Sequence, residues 1–71
     1  MADKVTNYVA DYVDKLGIKV SAISRETGIP DGILRRSLST RERSLRADEF
    51  LKICDFLGME PFDFSRKSTS A

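Results

Sequence analysis

Val20-Ser21-Ala22-Ile23-Ser24-Arg25-Glu26-Thr27-Gly28-Ile29-Pro30-Asp31-Gly32-Ile33-Leu34-Arg35-Arg36-Ser37-Leu38 is the stretch whose reading decides the fold. Val20, Ile23 and Thr27 stand at i, i+3 and i+7, which predicts a short helix over about 20–27. Gly28 stops it, because the left-handed residue that commonly follows a helix end costs glycine no Cβ clash. Pro30 restarts the helix, since its missing N–H would have no intrahelical partner in a first turn. The second helix, over about 30–38, turns Ile33, Leu34, Ser37 and Leu38 inward. At 100° per residue Gly32, Arg35 and Arg36 fall on the opposite face, with Asp31 at its edge. Two helices joined by a short glycine-containing turn, the second with an exposed basic face, form the arrangement of a DNA-reading helix-turn-helix.

Upstream, Val5, Tyr8, Val9, Tyr12, Val13 and Leu16 trace one face of a helix over about 3–16, with Asp3 as N-cap and Gly17 as its left-handed end. Both tyrosines lie on that stripe and read as core or core-edge residues. Lys19 is a poor N-cap for the following helix, and Ser21 is the alternative. Downstream, Ser39-Thr40-Arg41-Glu42-Arg43-Ser44 has no apolar member and reads as a loop, after which Leu45 tucks back into the core. A helix over about 46–57 carries Asp48 and Glu49 in its first turn, where the helix dipole favours negative charge, and Gly58 as its stop. Phe50, Leu51, Ile53, Cys54, Phe56 and Leu57 give this helix an apolar arc wider than one core contact needs. Met59-Glu60-Pro61-Phe62-Asp63-Phe64 has room for one helical turn in which Phe62 or Phe64 covers the preceding helix. The expectation is an all-α, compact five-helix domain over 3–64 and a frayed polar tail over 65–71.

A chain of 71 residues is one small domain, with little room for a deep catalytic cleft. The net charge of +1 says little, but its distribution says more. Residues 35–46 hold five arginines and one glutamate, whereas residues 47–64 hold five acids and one lysine. A basic block beside an acidic one makes a dipolar molecule with a face suited to an anion. Cys54 stands alone, so no internal disulfide forms, and a reducing compartment fits. The absence of histidine excludes a His-based catalytic or metal site. No spanning apolar run or signal pattern is present, so a cytoplasmic protein without membrane contact is expected.

The order of these parts resembles the phage-repressor type of helix-turn-helix domain, the lambda-repressor-like or Xre family. The matching pieces are Ile23-Ser24 where the family tends to have Leu-Ala, Gly28-Ile29 at the turn, and Leu34 inside the recognition helix. A fourth is the run from Phe50 to Met59, similar to the family's Leu-x-x-Ile-Ala-x-x-Leu-Gly-Val. The family often opens its first motif helix with Thr-Gln, whose glutamine clamps a phosphate. Here Lys19 and Val20 stand there, leaving any clamp to Lys19 or Ser21. Ser37 replaces a common Ile, and Ser39-Thr40-Arg41 follows where a Gly is common.

The resemblance implies a sequence-specific regulator of repressor type that binds double-stranded DNA as a homodimer, with base contacts from Asp31, Gly32 and Arg36. Arg35 shares their face. An arginine there suits the guanine O6/N7 edge, and Asp31 suits a cytosine amino group. Ser21, Thr40, Arg41 and Arg43 complete the expected DNA-binding set, with Arg46 a further candidate for phosphate contact. Phe56, Met59 and Phe62 are the expected dimer interface. No cofactor, metal or small-molecule substrate is expected. The acids are explained by helix faces and caps, and no nucleophile–base pair is present, so the chain does not read as an enzyme. With no second domain read beyond the motif, regulation is expected to come from protein level, a partner or a gene neighbour. The alternative is a protein-interaction module on the same fold without DNA binding, favoured by the near-neutral charge, by Asp31 on the reading face and by the missing glutamine.

Overall fold

The computed structural model describes residues 2–64. The expected frayed tail at 65–71 lies outside the described residues. Helix α1 spans Lys4–Leu16, α2 Val20–Thr27, α3 Asp31–Leu34 and α4 Ala47–Leu57, with a further helical turn, α5, at 61–64. Among the described residues there is no strand, and no helix is long and apolar enough to cross a membrane.

The end signals work as expected in α1. Asp3 is extended, and its carboxylate accepts the Thr6 N–H at 2.9 Å. Hydrogen bonds from the Thr6 side chain, its backbone N–H and the Ser44 hydroxyl hold the Asp3 carboxyl below its ordinary range, against the desolvation of partial burial. Gly17 turns left-handed at φ 70°, and the Ile18 N–H folds back onto the Val13 carbonyl at 3.1 Å. Val9, Ala10 and Val13 are buried as the stripe requires, whereas Tyr8 and Leu16 are exposed. Tyr8 lies 100° from Val9, at the stripe's edge, and Leu16 sits in the last turn, where the chain leaves the helix.

The turn between α2 and α3 is sealed by side chains. Gly28 adopts φ 78°. The Ser24 hydroxyl donates to the Ile29 carbonyl, and the Thr27 hydroxyl to the Ile23 carbonyl, each at 2.6 Å, while Thr27 also accepts the Ile29 N–H at 3.3 Å. These bonds drive Ile29 into the core. Pro30 precedes α3 as an extended N-cap rather than lying within its first turn.

The continuous second helix expected over 30–38 is corrected by the structure. Regular α geometry ends at Leu34, and Arg35–Ser39 forms a π-helical turn in which the Thr40 N–H reaches the Arg35 carbonyl at 3.0 Å. The Arg36 carbonyl then accepts from the N–H groups of Glu42 and Arg43, at 2.8 and 3.3 Å. The widened turn thus steers the chain into the following loop while Leu34, Ser37 and Leu38 all stay buried.

That loop is stitched to the amino terminus. The Ala2 N–H donates to the Arg41 carbonyl at 2.9 Å, the Asp3 N–H to the Ser44 hydroxyl at 2.8 Å, and the Leu45 N–H to the buried Thr6 hydroxyl at 2.9 Å. Leu45 packs against the core as expected. Helix α1 lies against the π-helical turn, and α2 against both α3 and α4. From α4, Ile53 and Cys54 enter the core, whereas Leu51 is exposed. Phe64 of α5 closes the core, edge-on to Tyr12 at 5.6 Å and to Phe50 at 6.1 Å between ring centroids. Phe64 therefore covers α4, while Phe62 is largely exposed.

Candidate nucleic-acid interface

Helix α3 and the π-helical turn set Gly32, Arg35 and Arg36 on the outer surface, with Asp31 half-buried at its edge. The side chains of Arg35 and Arg36 are 66% and 68% exposed. Arg35 Nε lies 2.6 Å from Asp31 Oδ2, one helical turn back. Arg36 Nε meets Glu42 Oε1 more loosely, at 3.9 Å. Gly32 has no neighbouring atom within 4 Å of where a Cβ would stand, and its φ lies outside the left-handed region that the other three glycines occupy.

Arg41 is the one non-glycine residue with positive φ, 57°, among those described. Its guanidinium donates to Asp11 of α1 at 2.7 Å. Arg43 is turned inward instead. Its Nη1 donates at 3.1 Å to both Ser37 Oγ and Glu49 Oε1, and its side chain is 28% exposed. Two buried polar groups that need a donor explain this placement better than any surface role. Ser21 is exposed on α2. Thr40 is exposed too, its hydroxyl donating to the Arg36 carbonyl at 3.3 Å. Arg46 is exposed and, among the described residues, in no ion pair.

The structure thus gathers Asp31, Gly32, Arg35 and Arg36 on one surface and removes Arg43 from it. The carboxylates that answer the basic block, Asp11, Glu42 and Glu49, were not singled out from the sequence as partners. Only the four-residue spacing of Asp31 and Arg35 is a local signal for such pairing. Asp11 stands 30 positions from Arg41.

The three residues expected at a dimer interface do not share one degree of exposure. Phe56 and Met59 pack against the core, Phe56 beside a groove lined by Glu26, Thr27, Lys52 and Asp55, while Phe62 is 68% exposed. No protein-family model, curated protein or solved structure matches this chain.

Proposed function

We propose that this chain is a sequence-specific DNA-binding regulator of repressor type, with a lambda-repressor-like helix-turn-helix that lays α3 and the π-helical turn in the major groove. The observation that carries this reading is Gly32. A glycine costs up to about 1 kcal/mol relative to alanine in a helix interior, and Gly32 stands in the first turn of α3. Here neither backbone conformation nor crowding within the chain asks for one. A bare position beside Arg35 and Arg36 suits a face that another molecule approaches to backbone distance.

Phosphate contacts fall to Arg41 and Arg46, with Ser21 and Thr40 as neutral donors. Arg43 belongs to the fold. The ion pairs of Arg35, Arg36 and Arg41 do not bar DNA. Exposed pairs are worth only about 0–1 kcal/mol, so a phosphate or a guanine edge can replace the carboxylate at Arg36 or Arg41, while Arg35 keeps Nη1 and Nη2 for a guanine edge. A symmetric homodimer would hold two such helices about one DNA turn, roughly 34 Å, apart. Sedimentation of the wild type against Phe62→Glu tests that part.

Binding of a fluorescent random-sequence duplex is the test of the reading. Binding at low salt should weaken with log salt by about −0.9 per phosphate neutralised. A protein-interaction module without DNA binding is the second reading, favoured by the carboxylates standing against Arg35, Arg36 and Arg41. No binding to duplex DNA at low salt would remove the regulator reading and leave the module as the alternative.

A further inference from the structure

Resting on the DNA-binding reading, we propose that Asp31 is a positioning residue that fixes Arg35 as a reader of one guanine. Asp31 Oδ2 lies nearest the Nε of Arg35, at 2.6 Å. Nη1 and Nη2, at the far end of the guanidinium, carry four further N–H groups. Two parallel N–H donors at the tip of an arginine match the O6 and N7 acceptors that guanine shows in the major groove. The contact with Asp31 is 2.6 Å, against 3.9 Å for Arg36 with Glu42, so Arg35 stands closer to its carboxylate. Holding a long side chain before binding removes part of the ordering cost that binding would otherwise carry.

The two oxygens of Asp31 differ. Its Oδ1 is covered by the chain and accepts no hydrogen bond, while Oδ2 faces Arg35. An occluded acceptor without a donor is unfavourable for folding, so stability alone is a weak reason for aspartate here. The open space over Gly32, next to Asp31, lets the Arg35 tip and the helix backbone approach the same base pairs. An unpartnered arginine would attract any phosphate. With a carboxylate on its Nε the local charge is balanced, and what remains is the directional pair of donors. The geometry favours discrimination over bulk attraction.

The test uses a duplex selected by the full chain from a random library, together with versions in which each G·C pair is replaced in turn. Wild type, Asp31→Asn, Asp31→Glu, Arg35→Ala and the Asp31→Asn/Arg35→Ala double variant are compared by fluorescence anisotropy, with circular dichroism to verify folding. Wild type should lose about tenfold or more on replacement of one particular G·C pair. Arg35→Ala should lose that discrimination at the same pair. Asp31→Asn should reduce it there while binding random duplex as well as or better than wild type, since one negative charge has gone. Asp31→Glu should restore part of it, and the double variant should match Arg35→Ala. Full discrimination retained in Asp31→Asn, or lost at a different base pair from the one lost in Arg35→Ala, would overturn the proposal. Failure of wild type to bind any duplex at low salt would remove the DNA-binding reading itself and this assignment with it, a result distinct from binding without the change in discrimination.

Discussion

The guanidinium of Arg43 meets the carboxylate of Glu49 at 3.1 Å, and the same carboxylate oxygen accepts the Arg46 backbone N–H at 2.9 Å. The second interaction is half of a capping box and fixes the start of α4. Arg43 also satisfies the fully buried Ser37 hydroxyl. The pair thereby ties the π-helical turn to the first turn of α4. Arg43→Ala leaves the buried Ser37 hydroxyl without its donor and the buried Glu49 carboxylate with only the Arg46 N–H and no counter-charge, and should cost about 2–3 kcal/mol in urea unfolding. Arg43→Lys should recover only part, because the lysine nitrogen ends one atom short of Nη1, the donor to both acceptors. If Arg43 were mainly a phosphate ligand, Arg43→Ala would keep its stability and lose DNA affinity.

Phe64 and Phe62 should differ sharply on truncation. Phe64 is 1% exposed and packs edge-on to Tyr12 and Phe50. Phe64→Ala should cost about 3–5 kcal/mol. A domain of this size has a total stability of roughly 4–10 kcal/mol, so the variant should lose a third or more of it and melt at a much lower temperature by circular dichroism. Phe62→Ala should cost under about 1 kcal/mol. Equal losses in the two variants would contradict the assignment of Phe64 as the cover of α4.

Cys54 gives the fold a signature at alkaline pH. Burial, and then the negative charge of Asp63, push its thiol up to about 11. An unfolded thiol ionises near 9, so below that pH both states carry the proton and the group adds no pH dependence. Above it the unfolded chain loses the proton first, and stability falls as pH rises from about 9 towards 11. Native protein should resist a thiol-reactive dye at pH 8 and react fully in urea. Cys54→Ala should remove this thiol's share of the alkaline loss of stability.

Arg41 separates a structural arginine from a phosphate contact. Its left-handed backbone costs a non-glycine residue about 1–2 kcal/mol, and its exposed pair with Asp11 returns about 0–1 kcal/mol. Arg41→Gly should therefore leave urea stability unchanged or raise it by about 1 kcal/mol. On DNA the same variant should flatten the salt dependence by about 0.9 in slope. Asp11→Asn should strengthen binding to random duplex, because the guanidinium no longer exchanges a carboxylate for a phosphate. An unchanged slope in Arg41→Gly would take this loop out of the interface.

What was legible in the sequence was local. Gly17, Gly28 and Gly58 each end a helix with positive φ, and the spacing of Val9 and Val13 marked the buried face of α1. The π-helical turn was not legible, because Arg35 to Ser39 contains no residue that forbids α geometry and the widening follows from where the Arg36 carbonyl finds donors. The inward turn of Arg43 was hidden for a related reason. An arginine in a polar loop reads as surface until Ser37 and Glu49 are seen to be buried beside it. The choice between Phe62 and Phe64 depended on the direction of a single turn, which a wide apolar arc on α4 does not specify. The outer face of α3 was legible as a set, but the pairing of Arg36 and Arg41 with particular carboxylates depended on tertiary placement.

Gly32→Ala tests the proposed interface with two readouts of opposite sign. The position is helical and exposed, and an added methyl group meets nothing within the chain. Alanine loses less backbone entropy on folding than glycine, so the variant should be more stable by about 0.4–1 kcal/mol in urea unfolding. If a duplex approaches the helix at this point, the same methyl group stands between backbone and base pairs, and affinity for the selected duplex should fall. Gly32→Leu, with a larger side chain at the same open position, should fall further while remaining as folded as wild type. A structural role for the glycine predicts loss of stability and binding together. A solvated surface predicts greater stability with binding unchanged. Only a face that meets DNA predicts a firmer fold that binds less well, and unchanged affinity in both variants would remove Gly32 from the interface.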